Sequence, residues 1–128
     1  MDSQEIIKTY TKLAIAWGNA LNQGDSKIAN RLNRKLSKIV LTVEKDKDLS
    51  KSVFTPLLDH EDLSVRFSAI VEAFRCGISV QKAERLLKSI VDDPVIDPSV
   101  GGVRSMAYII LVEWKKDKSE RKIYLGEI

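Results

Sequence analysis

The chain has 128 residues, 44% of them hydrophobic and 30% charged, with a net charge of +3 and a single cysteine and histidine. That balance excludes a disordered tail, and the absence of any apolar run near the roughly 20 residues a bilayer needs excludes a helical membrane protein. One cysteine forms no internal disulfide, no Cys/His cluster exists to hold zinc, and the first residues (Met1-Asp2-Ser3-Gln4-Glu5) are acidic where a secretion signal is basic, so a cytoplasmic setting is expected.

In chain order, Ile6, Ile7, Tyr10, Leu13, Ala14, Trp17, Ala20 and Leu21 recur at steps of three and four. They predict a long amphipathic helix, capped by Asp2 or Ser3 and stopped at Gly24. Asp25 and Ser26 open a second helix with Ile28, Leu32, Leu36, Ile39, Val40 and Val43 on its buried side, and the short link predicts an antiparallel hairpin. Glu44-Lys45-Asp46-Lys47-Asp48 reads as a polar connector. Beyond it Val53, Phe54, Leu57 and Leu58 predict a short helix with Pro56 in its first turns.

After the charged turn Asp59-His60-Glu61-Asp62, a helix carries Val65, Ala69, Ile70, Ala73 and Phe74 inward and closes at Gly77. Ser79 is positioned to cap the next, with Val80, Ala83, Leu86, Leu87 and Ile90 buried. A second acidic turn, Asp92-Asp93-Pro94-Val95-Ile96-Asp97-Pro98, excludes helix at its prolines, and a last helix from Val103 presents Ala107, Ile110, Leu111 and Trp114. The tail 119–128 is charged, then apolar at Ile123, Tyr124 and Leu125.

Val65-Arg66-Phe67-Ser68-Ala69 and Val103-Arg104-Ser105-Met106-Ala107 share the pattern Val-Arg-x-x-Ala, 38 residues apart, each after an acidic turn and an apolar helix. HEAT and armadillo hairpins recur at about 40–47 residues. Val and the Ala four later share one helix face, and the small Ala admits a close neighbour. Arg66 and Arg104, in first helical turns, are expected to seek a carboxylate from the preceding turn. The expected architecture is all-α: a single HEAT-like stack of antiparallel helical hairpins with about six helices. It divides into an N-terminal hairpin (1–48), two HEAT-like hairpins (49–118) and the tail.

The stretch Pro56-Leu57-Leu58-Asp59-His60-Glu61-Asp62-Leu63-Ser64-Val65-Arg66-Phe67-Ser68-Ala69 resembles a HEAT-repeat hairpin, with its aspartate-rich turn and Val-Arg. Residues 20–32, from Ala20-Leu21-Asn22-Gln23-Gly24 to Leu32, resemble the start of a small bacterial HEAT-like family of unknown function. The resemblance spans residues 10–115 and is most specific over 56–69. Such proteins occur among the immunity proteins of polymorphic-toxin and contact-dependent growth inhibition systems. The resemblance therefore implies a non-catalytic module that binds a cognate toxin one to one and occludes its active site. The long Pro-rich, Gly101-Gly102 approach to Val103 departs from the pattern.

Charge points the same way. The basic excess lies in residues 25–58 (eight bases, four acids), while residues 59–99 carry eight acids against five bases. In a stack of hairpins the successive turns line one edge, so Asp59, Glu61, Asp62, Asp92, Asp93 and Asp97 are the candidate partner-binding residues. An acidic edge suits a basic partner such as a nuclease toxin. Helix capping and the two arginines should absorb one or two acids per turn. The calcium-loop spacing of alternating ligands is absent, and no metal or cofactor is expected.

Lys27, Arg31, Arg34, Lys35 and Lys38 form a basic ridge on the second helix, a rival surface that would track phosphates; it lacks interleaved aromatics, and a solvated face is the plainer reading. His60 has no second histidine or paired cysteine to make a catalytic set, Cys76 reads as a small buried hydrophobe, and Trp17 and Trp114 as core. A general HEAT-like adaptor using the inner helix face is a further alternative, and no enzyme activity is expected.

Overall fold

The computed structural model describes residues 2–93 and 102–116. These form six α-helices and, among the described residues, no strand: α1 (Ser3–Asn22), α2 (Ser26–Val43), α3 (Lys47–Leu57), α4 (Leu63–Cys76), α5 (Val80–Asp92) and α6 (Val103–Lys115). The turn residues 94–101, with Asp97, and the tail 119–128 lie outside them.

Aspartates start four of the helices. Asp2 accepts from the Glu5 N–H at 2.9 Å, Asp25 from Ile28 at 3.1 Å and Asp62 from Val65 at 3.1 Å. Asp46 accepts from both Asp48 and Leu49. Each carboxylate satisfies an amide that has no intrahelical partner and sets negative charge at the positive end of the helix dipole. Gly24 (φ 73°) and Gly77 (φ 68°) end α1 and α4 in the left-handed conformation that a side chain would resist.

Three expectations are corrected. The polar stretch 44–48 is not a connector throughout: α3 begins at Lys47, with Lys47, Asp48 and Lys51 facing solvent. Its inward positions are Ser50, Val53, Phe54 and Leu57, and Ser50 conceals the periodicity because it is buried yet polar. Its hydroxyl lies 3.0 Å from the carbonyls of both Val43 and Asp46, so it is satisfied where an apolar residue would ordinarily sit. Pro56 consequently falls in the last turn of α3 rather than its first, where its missing N–H precedes the end of the helix. Ser79 occupies the N-cap position of α5 but makes no side-chain cap; its φ is 46°. The short link Gly77-Ile78-Ser79 buries Ile78 to 2% exposure, and the backbone follows that anchor rather than a capping geometry.

Ile28 is also misplaced by periodicity: it is exposed, while Ala29, Leu36, Val40 and Val43 form the buried face of α2. On α1, Ile6, Tyr10, Ala14, Trp17 and Ala20 are buried as expected, and Gly18 joins them. A Cβ at Gly18 would lie 1.7 Å from Ser64 Oγ and 2.5 Å from its Cβ, so the glycine is required by the close crossing of α1 over the start of α4. Gly18→Ala should therefore destabilise by about 1–3 kcal/mol despite alanine's better helix propensity. Urea denaturation checks this, and Gly18→Ala paired with Ser64→Gly should recover part of the loss.

α4 is the hub. It packs against α1, α3, α5 and α6 and buries Val65, Phe67, Ala69, Ile70, Ala73 and Phe74. The two Val-Arg-x-x-Ala segments occupy equivalent places: Val65, Ala69, Val103 and Ala107 are all in the core at the starts of α4 and α6. Their arginines act alike in holding main-chain carbonyls, and Arg66 does so in place of the carboxylate expected. Arg66 Nη1 donates to the carbonyls of His60 (3.0 Å) and Glu61 (2.8 Å), and Arg104 Nε to that of Val91 (2.8 Å). In each hairpin the arginine fastens the second helix to the backbone that ends or follows the first.

α2 has α1 and α3 as its principal neighbours, while α1 also reaches α4 and α6. A cleft therefore remains above α1, between α2 on one side and α4 with α6 on the other.

Candidate functional site

The first acidic turn is rigidly built. His60 Nδ1 accepts the Asp62 N–H at 2.9 Å, which makes the ring a structural acceptor; the Asp62 carboxylate caps α4, and Arg66 clamps the two carbonyls between them. Asp59 pairs with Lys82 at 2.7 Å, an exposed bridge of small energetic weight. Glu61 uses only its main-chain carbonyl inside the turn, and its side chain stands in solvent.

Of the other candidates, Asp92 is exposed at the end of α5 and Asp93 half-buried beside it. Asp59 meets the first turn of α5 through Lys82, whereas Asp92 and Asp93 close that helix about 15 Å further along its axis. The structure thus brings Asp59, Glu61 and Asp62 together in one turn, while Asp92 and Asp93 stand at the end of α5.

The basic ridge is fully displayed. Lys27, Arg31, Arg34, Lys35 and Lys38 are all exposed, on the side of α2 away from Ala29, Leu36 and Val40, and none takes part in an ion pair among the described residues. Cys76 is half-buried at the end of α4, and burial pushes its thiol above the ordinary value, which keeps it in the unreactive protonated form. Among the described residues, no three of His, Cys, Asp and Glu converge as metal ligands.

The cleft above α1 has a volume of about 490 Å³, inside the roughly 300–1,000 Å³ range of small-molecule sites. Tyr10 and Trp17 of α1, Leu36 and Val40 of α2, Phe67 and Val71 of α4, and Met106 and Ile109 of α6 line it. Trp17 lies parallel to Phe67 (centroids 6.1 Å apart, planes 6° apart), which ties α1 to α4 within the wall.

One carboxylate, Glu72, belongs to this apolar wall. Its Oε2 has no hydrogen-bond partner, and Arg75 Nη1 lies 3.7 Å from its Oε1, an ion pair longer than a hydrogen bond. Burial pushes the Glu72 carboxyl up to about 7, the nearby Arg75 opposing and Glu44 reinforcing the effect. Tyr10 is likewise held well above its ordinary value, by burial first and then by Glu72 beside it.

Glu72 escapes sequence reasoning because an acid in a helix is ordinarily assigned to solvent. The available signal is its setting: Ala69, Ile70, Val71, Ala73 and Phe74 surround it in an otherwise unbroken apolar run.

Comparison with family models, with curated proteins and with solved structures finds no match for this chain.

Proposed function

We propose that the chain is a non-catalytic protein-binding module that protects a bacterial cell by occupying the active cleft of a basic toxin in the cytoplasm. The observation that carries this reading is the α3–α4 turn, whose backbone is clamped by His60, Asp62 and Arg66 while Glu61 stands free in solvent. A charged turn already held in one conformation loses little entropy when a partner docks, and its negative charge accelerates encounter with a basic surface. The HEAT-like character of residues 56–69 supports it further. Asp59, Glu61, Asp92 and Asp93, with Asp97, supply rim charge, while Asp62 serves mainly as the cap of α4. No helix among the described residues is long and apolar enough to cross a membrane.

The test can be run before the toxin is identified. A strain lacking this chain is grown in contact with its parent, and it should be inhibited, with growth restored by the chain supplied in trans. Equal growth of the deleted strain beside its parent overturns the reading.

The exposed ridge of α2 favours a second reading, association with nucleic acid. If it is correct, the chain retards duplex DNA or RNA in a salt-sensitive manner, and charge reversal at Lys27, Arg31 and Lys35 abolishes the shift. No retardation by the wild-type chain at low salt excludes it.

A further inference from the structure

We propose that the cleft above α1 is a binding site for small lipophilic amines, with the hydrocarbon body against Trp17, Phe67 and Met106 and the protonated nitrogen donating to the Glu72 carboxylate. The site is separate from the α3–α4 turn, and this proposal does not depend on the toxin reading.

Three observations converge on that chemistry. First, Glu72 Oε2 is a buried acceptor without a donor, and buried carboxylates otherwise satisfy their lone pairs. A ligand N–H supplies the missing bond, and a positive nitrogen makes it charge-assisted. Second, the surrounding wall is mostly aliphatic, with the rings of Tyr10, Trp17 and Phe67 in it, and aromatic rings attract a cation rather than an anion to their faces. Third, the volume suits a ligand with one or two rings and a short chain.

The charged and titratable groups about Glu72 agree. Arg75 and Cys76 lie on its own helix, Tyr10 comes from α1, and Glu44 from the end of α2. α6 contributes Met106, Ile109 and Ile110, which are uncharged. Arg75 is the cationic member and lies 3.7 Å from Glu72, whose buried negative charge opposes the entry of an organic acid. With its side chain 38% exposed, Arg75 is able to turn toward solvent when an ammonium arrives.

The experiment is calorimetric titration of the full chain with phenylbutylamine, phenylbutanol and phenylbutyrate at about pH 8, where Glu72 is mostly ionised. The amine should bind roughly tenfold more tightly than the alcohol, and the acid more weakly than either. Because the Glu72 carboxyl is held up to about 7, the amine's advantage should shrink as the pH is lowered to about 6, while the alcohol's affinity stays constant. Glu72→Gln should remove the advantage. Ile109→Arg places positive charge at the half-exposed mouth without touching the buried carboxylate, and should weaken the amine more than the alcohol. Equal binding of amine and alcohol, no binding of either, or an advantage that survives Glu72→Gln overturns the proposal.

Discussion

Glu72→Gln should stabilise the fold by about 2 kcal/mol at pH 8 and by far less near pH 5. The sign follows from where the proton is held. In the unfolded chain the carboxyl ionises at its ordinary value of 4.5, whereas in the folded chain it does so only near about 7. Folding therefore favours the protonated acid, and stability is full below the unfolded value. It falls as the pH rises from there through about 7, and the accumulated loss is about 3 kcal/mol. The amide keeps the shape of the side chain without ionising and removes that loss. Its own buried NH₂ recovers fewer hydrogen bonds than water offers, so the net gain is smaller than the full amount. Urea denaturation at the two pH values is the check, and a wild-type stability that does not fall between them contradicts the burial of an ionised Glu72.

Phe74→Ala should be the most damaging single truncation, at about 3–5 kcal/mol. Phe74 is fully buried and stacks on Trp114 of α6, with centroids 4.0 Å apart and planes 7° apart. The ring thus joins the α3–α4 hairpin to the α5–α6 hairpin, and its removal leaves a cavity in the hub helix as well as an unstacked indole. A double-mutant cycle with Trp114→Ala should give a coupling of about 0.5–1.5 kcal/mol, read from the same denaturation midpoints. Additive losses would show that α4 and α6 are not held by this contact. Tyr10 and Phe54 form the corresponding edge-to-face pair between α1 and α3, 5.4 Å apart, so the aromatic contacts fall at the crossings between hairpins.

Much of the fold is legible in residue periodicity, because apolar stripes such as Ile6-Tyr10-Ala14-Trp17 and Val65-Ala69-Ile70-Ala73 face a core directly. The start of α3 is not, since Ser50 takes a buried position by giving its hydroxyl to two carbonyls. Nor is the close approach at Gly18, which depends on a residue 46 positions away in the sequence. The arginine clamps are half legible: their repetition shows in Val-Arg-x-x-Ala, but the acceptors among the described contacts are main-chain carbonyls, which no side-chain pattern reveals.

The acidic candidates divide in the same manner. Composition marks all of them alike, yet hydrogen bonding assigns Asp62 to a cap and Asp59 to Lys82 and leaves the Glu61 side chain in solvent. The cleft has no sequence signature because it arises from a packing choice, α2 lying against α1 and α3 and away from α4. Glu72 becomes unusual only once that choice is made.

These assignments define the most direct test of partner binding through the clamped turn. Glu61→Lys and Asp92→Lys alter exposed side chains rather than helix caps, and the doubly substituted chain should keep the wild-type denaturation midpoint. The decisive measurement is its ability, at matched abundance, to protect the deleted strain in contact with its parent. Protection should be lost, and lost more completely in low-salt medium, where opposed charges are least screened. Full protection by the charge-reversed chain would contradict the account.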